Sequence, residues 1–418
     1  MIKGDLFMIR KVHCIKKLLV VGYLLYFHIP ILAMDFAVHL EYCRLDGNRA
    51  FLVDTPEGVC IFTKKYKKNY HSLDSNDTNR ALVMDMSGAH CKQIWHDSAY
   101  PKIAAAYDDN KTYLLAVGKN GNEKVVTVFD SDGEIVKQLE AEHKICSATP
   151  IKIGNDIGFI LLTQNHYVKA FVWFLNDDQP CARLQQNDYI FSCAGVDTQW
   201  GYQIITGSSN VLYDGFMKSW DYEGLSREQF GRSQPRLHIN SMSWWDAACS
   251  NVCKMLPKSI VGWLPDHLVN PHDYQNKFVD IAAIQSQGGD VFFIAGSESG
   301  AKIGKLRKDS VEFQPDIELL RGGLVSCVAA VSVPGDDLFL ATMGDKIYIY
   351  TVHGDYVKEL DFIIKKDTHA DGFSALCKDK KMYIVVKNEE NFCTWVLDAQ
   401  SYNILERHEF SIENVTWS

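Results

Sequence analysis

The sequence predicts an all-β protein in which four-stranded units repeat around a ring, a β-propeller, and three observations predict it. An apolar strand, a polar turn and a second strand recur along the chain. Their turn centres, near Ser87, Ser131, Asp177, Glu223, Pro265, Asp309, Gly354 and Ala399, are spaced by 42 to 46 residues. A period of about 40–50 residues with four strands per unit marks propeller blades. Small residues keep the same step, as Ala104-Ala105, Cys146-Ser147-Ala148, Ser192-Cys193-Ala194, Ser241, Ala282-Ala283, Ser326-Cys327 and Ser374-Ala375. Such residues suit the first strand of each blade, where the blades crowd around the channel. The stretch KIAAAYDDNKTYLLAVGKNGNEKVVTVFDSDGEIVKQLEA then shows one whole blade. It reads as strands at 102–107, 112–118, 123–129 and 134–140, joined by turns rich in Asn, Asp and Gly.

In chain order, the N-terminus carries Arg10, Lys11, Lys16 and Lys17, then the apolar run 18–27, then Ala33. A basic region, a short apolar core and a small residue are the secretory pattern, so 1–33 reads as a signal peptide and 34–418 as a single exported propeller domain. The run is shorter than the ~20 residues that span a bilayer, and no later stretch is long and apolar enough to do so. Unit one, about 36–95, carries a basic then polar loop at 64–80. The next units supply plain apolar second strands at 158–162, 202–205, 291–294, 338–340 and 383–386. The unit at 232–277 keeps the spacing but lacks clear strand patterning. Eight blades are expected, with seven blades and an insertion at about 232–277 as the alternative. The segment 410–417 is expected to pair with the first blade and leave no open edge.

Two of the outer hairpins, VVTVFDSDGEIVKQL and CTWVLDAQSYNILERHE, place an aspartate at the end of the third strand, before the turn. In this the chain resembles the broad propeller-repeat superfamily, the PQQ-like and YVTN-like types especially, and also WD-repeat-like blades. Trp220-Asp221 stands where a WD repeat has its dipeptide, while the Gly-His partner of that motif and the PQQ-docking pattern are not kept. The resemblance implies the fold, and no functional residue carries over from it.

The chemistry-bearing residues are few. With 52 acidic and 43 basic residues the net charge is −9, which argues against nucleic acid as the partner. Cys249, Cys253, His267 and His272 stand at a spacing that can surround one zinc ion. Exported cysteines usually form disulfides, and a disulfide or buried thiols suit the same cysteines better, so no cofactor is expected and zinc is the exception to test. Cys43, Cys146, Cys193, Cys327 and Cys377 fall on or near first strands, as small buried residues do. Trp244, Trp245, Trp263 and Tyr274 gather in the irregular unit, as core or as a binding surface. No nucleophile elbow is present, and catalytic residues are not identified. The expected function is that of an exported, non-catalytic module that binds a protein or glycan through its rim loops, 64–80 and 232–277. The alternative is a hydrolase, lyase or oxidoreductase at the channel mouth, with His39, Tyr107, Asp197, His238 and Asp280 placed there by location.

Overall fold

In a computed structural model of the chain, residues 50–412 are described, apart from a set of connecting segments. Those segments are 66–78, 98–101, 109–110, 119–123, 154–155, 165–168, 181, 185–188, 197, 199–200, 210–214, 222–236, 239–277, 287, 298–299, 308–309, 322, 363–369 and 390. Blade one is β1 to β4, at Ala50–Thr55, Gly58–Lys65, Asn79–Asp85 and Cys91–Asp97. Blade two is β5 to β8, at Lys102–Asp108, Lys111–Val117, Val125–Asp130 and Ile135–Glu140. Blade three is β9 to β12, at Lys144–Ile153, Asp156–Gln164, Lys169–Phe174 and Ala182–Leu184. Blade four is β13 to β16, at Tyr189–Val196, Gln203–Ser209, Gly215–Asp221 and Leu237–His238. Blade five is β17 to β20, at Phe278–Gln285, Val291–Ser297, Gly300–Arg307 and Ser310–Leu319. Blade six is β21 to β24, at Val325–Val333, Asp336–Met343, Lys346–Thr351 and Tyr356–Asp361. Blade seven is β25 to β28, at Gly372–Lys378, Lys381–Asn388, Asn391–Asp398 and Ile404–Ser411. Each blade is a four-stranded antiparallel sheet in simple order, and the described residues form seven of them.

The ring closes with these seven. The innermost strands neighbour one another in the order β1, β5, β9, β13, β17, β21, β25 and back to β1. Ala194, Val196 and Ile205 of blade four share one apolar cluster with Ile281, Phe293 and Leu306 of blade five. No sheet stands between those two blades, so the eight-blade expectation is corrected. Its alternative, seven blades with an excursion between β15 and β17, has the matching order. Part of the excursion supplies Leu237–His238, the short fourth strand of blade four.

Position in the blade dictates residue type. A second strand is covered on both faces by neighbouring blades, so it reads as a continuous apolar run; every residue of β18 is buried. A fourth strand lies at the perimeter and is mostly exposed; in β8 and β24 the one buried residue is Leu139 and Leu360 respectively. The apolar clusters sit between successive blades, joining Ile103 to Val53 and Phe62, Val126 to Phe159 and Trp173, and Leu340 to Ile384 and Trp395.

The aspartate before the outer turn has a definite task. Asp130 Oδ1 accepts the N–H groups of Asp132 at 3.0 Å and Glu134 at 2.9 Å, while Gly133 takes φ +86. Asp85 Oδ1 accepts Ser87 and Ala89, each at 3.0 Å, around Gly88 at φ +72. A side-chain oxygen that captures its own turn's donors, with a left-handed residue closing the turn, pre-shapes a short hairpin. Asp398 does the same for Gln400 and Ser401, and the Ser401 N–H, first among its donors, holds the exposed carboxyl below its usual range. Thr351 replaces the aspartate in blade six, where its Oγ1 accepts His353 and Asp355.

These turns also clasp the ring in one rotational sense, each touching the outer strand of the preceding blade. Gly133 lies against Ile94, Gly354 against Ile317 and Gly88 against Phe410. Lys137 Nζ binds Asp178 at 2.9 Å, and Lys358 Nζ donates to the Tyr402 carbonyl at 2.7 Å.

Blades seven and one meet at a polar seam. Lys387, fully buried, donates to Thr63 Oγ1 at 3.1 Å and to the Lys64 carbonyl. Its ammonium also stands 5.3 Å from the centroid of the Phe392 ring. Lys378 pairs with Asp54, and Thr394 Oγ1 donates to the Met86 carbonyl at 2.7 Å. Of the segment 410–417, expected to pair with the first blade, residues 413–417 lie outside the described residues, and the expectation is corrected for Phe410 and Ser411 alone. β28 pairs with β27 of its own blade as far as Ser411, and the Phe410 and Ile412 side chains join the apolar cluster of blade one.

Candidate functional site

An innermost strand has no neighbour on its channel side, so some of its N–H groups need other acceptors. Register shifts near the start of four consecutive inner strands re-aim side chains there, at Ile145–Ser147, Ile190–Ser192, Phe278–Asp280 and Val325–Cys327. Extra residues in a strand commonly serve this purpose. Ser147, Ser192, Asp280 and Cys327 therefore occupy equivalent positions on β9, β13, β17 and β21. Asp280 is the one acid among them.

The Asp280 carboxylate joins three blades. Its Oδ1 accepts the Ser192 hydroxyl of blade four at 3.2 Å and its own strand's Ile281 N–H at 2.9 Å. Its Oδ2 accepts the Val328 N–H of blade six at 2.9 Å. Ser192 Oγ in turn accepts the Ile281 N–H at 3.1 Å. Asp280 keeps part of its surface open, but protein atoms crowd the carboxyl, and burial pushes it up to about 6 against the pull of these donors. Next to Ser192, the buried Cys193 thiol donates to Thr149 Oγ1 at 3.2 Å. Burial pushes that thiol up to about 12, which leaves it a poor nucleophile.

The arrangement can exchange a proton near neutrality, because a carboxyl at about 6 is half-ionised at pH 6 and about a tenth protonated at pH 7. Its two oxygens are already engaged by a hydroxyl and two backbone donors, so its evident work is to hold strands together. Ser297 is similarly occupied: its hydroxyl donates to the Gly300 carbonyl at 2.9 Å, within the β18–β19 turn.

Of the residues placed at a channel mouth by sequence, Asp280 stands near the start of β17 as expected. Tyr107 lies near the far end of β5, opposite Thr112, and so belongs to the other mouth. His238 is on the outer strand β16, opposite Phe216, which corrects its assignment to the channel. His39 and Asp197 lie outside the described residues, as do Trp244, Trp245, Trp263, Tyr274, Cys249, Cys253, His267 and His272. Among the described residues no three His, Cys, Asp or Glu side chains gather to hold a metal, and no helix is long and apolar enough to cross a membrane. Cys60, Cys193, Cys377 and Cys393 are free thiols, so no disulfide joins the inner strands through Cys193. Sequence reasoning missed Lys387 and Ser192. A lone lysine closing an apolar run was the only local sign of the former.

Topology fixes where the long connections attach. β2 ends at Lys65 beside Arg80, the second residue of β3, near the level at which β1 begins. β16 ends at His238 opposite the start of β15, and β17 starts at Phe278 opposite the end of β18. In antiparallel blades these positions share one face, the face where inner strands begin. Segments 66–78 and 239–277 thus both leave and re-enter the ring there.

No protein-family model matches the chain, and no curated protein does. Among solved structures, two crystal structures of BBS1N in complex with ARL6DN, one soaked with mercury and one with lead, are similar to it. Each is 8% identical, with 74% of this chain and 80% of that chain covered at a TM-score of 0.45. The strand order of the chain itself makes it an all-β propeller of antiparallel four-stranded blades.

Proposed function

We propose that this propeller is a non-catalytic module that binds a protein or glycan, working outside the cell or in an export compartment. The supporting observation is that the two long connections, 66–78 and 239–277, attach to a single face of the ring. Loops on a rigid scaffold are where recognition residues concentrate. The second of these segments carries Trp244, Trp245, Trp263 and Tyr274, residue types that anchor interfaces. The test replaces each segment by a short Asn-Gly-type turn and measures partner capture by crosslinking in the native host. Loss of capture with the propeller still folded supports the reading; undiminished capture from the doubly shortened chain refutes it. Export is tested on the same material, since N-terminal sequencing of the mature chain should begin near residue 34.

A second reading, an enzyme at the channel mouth, is favoured by one observation, the Asp280 carboxyl raised to about 6. Raised carboxyls in clefts do acid–base work in many enzymes. It predicts turnover of an ester, glycoside or uronate substrate that Asp280→Asn abolishes without unfolding the chain.

A further inference from the structure

The strand that follows the 239–277 segment is the one that carries Asp280. Two residues after it resumes at Phe278, its carboxylate reaches sideways to β13 and β21 at once. Those contacts join residues 88 and 48 positions away in sequence. We propose that the Asp280 carboxyl is a proton-operated staple, which fastens the inner strands of blades four, five and six more firmly when it takes up a proton.

The geometry suits both protonation states. Ionised, the carboxylate accepts from Ser192, Ile281 and Val328, but it carries a charge in crowded surroundings. Protonated, it loses that charge, its hydroxyl can donate to Ser192 Oγ, and its other oxygen still accepts the Val328 N–H. The groups facing it are limited among the described residues. From β13 come Ser192 and Cys193, whose thiol stays neutral because burial raises it to about 12. From β21 comes the Val328 N–H, and from its own strand the Ile281 N–H. No lysine, arginine or histidine is among them, so nothing cationic favours the charged form.

The sign follows from linkage. The carboxyl stands at about 6 in the folded chain against an ordinary 3.8. Between those values the folded chain holds the extra proton, so stability is full below about pH 4 and falls as pH rises through 6. From pH 7 down to pH 5 the folding equilibrium constant should gain about tenfold from this group alone.

The experiment compares the wild-type full chain with Asp280→Asn, whose amide does not titrate, from pH 4.5 to 7.5. Urea midpoints and exchange of the Val328 amide are read at each pH. The difference between the two proteins cancels histidines and other acids, and should grow about tenfold from pH 7 to pH 5, setting in as pH falls through 6. A flat difference, or one that grows with rising pH, overturns the proposal. Should Asp280→Asn not fold, Ser192→Ala decides. Losing a donor that favours the charged form should move the transition of the wild-type chain to higher pH, and an unmoved transition refutes the staple.

Discussion

Replacing Lys387 by methionine tests how the ring closes. The side chain is fully buried and ties β26 of blade seven to β2 of blade one through Thr63 Oγ1 at 3.1 Å and the Lys64 carbonyl. Methionine keeps most of the stem and removes the donors. Leaving a buried carbonyl and a hydroxyl without that donor costs about 1–3 kcal/mol each. Relief from burying an ammonium, several kcal/mol in similar sites, offsets part of this. The net loss expected is about 2 kcal/mol. Thr63→Val removes one of the same contacts, so the double variant should lose about 1 kcal/mol less than the sum of the singles. Because blades can unfold separately, native-state hydrogen exchange is a better assay than a single melting curve. Protection should fall first at amides of β1, β2 and β26, while β10 and β14 hold. A loss under about 0.5 kcal/mol, additive with Thr63→Val, would mean that apolar packing alone closes the seam.

Three further outcomes follow from the described geometry. Asp130→Ala should cost about 1 kcal/mol by freeing the Asp132 and Glu134 donors, whereas Asp130→Asn keeps an acceptor and should cost almost nothing; urea midpoints distinguish them. Gly304→Ala should lower the melting temperature, because a Cβ there would lie 2.1 Å from Phe293 Cζ in a fully buried cluster; Phe293→Leu in the same chain should restore part of the loss, which is about 1–3 kcal/mol. Cys193 and Cys393, both pushed up to about 12 chiefly by burial, should resist iodoacetamide at pH 7 in the folded chain and react in urea. Rapid native labelling of either would contradict their placement.

The sequence carried the fold because the repeat is written in local terms. Asp130 and Asp398 bond to their own turns, within four residues, and the strand boundaries around Asp130 lie within about two residues of those expected. The blade count was not local. Segment 232–277 has the length of a unit, but length does not say whether β13 and β17 touch, and the Ser192–Asp280 bond lies across that gap. The short strand Leu237–His238 moved the phase of the fourth blade and took His238 away from the channel. Lys387 was equally hidden, since its acceptors Thr63 and Lys64 lie 324 and 323 positions away. Asp280 was legible as a place on an inner strand, while its role depended on a hydroxyl and an amide from two other blades.

Every blade draws its four strands from one uninterrupted stretch of chain, and the seam between blades seven and one is made by side chains and clasping turns like the other junctions. The ring therefore has no privileged starting point. A circularly permuted gene that joins residue 412 to residue 50 through a flexible linker and opens between β8 and β9, at Ala141–His143, would retain every blade whole and convert the seam into an ordinary internal junction. Evolution by duplication of single blades meets the same freedom: a unit can be gained or lost at any junction, provided its turn reaches back to the blade before it.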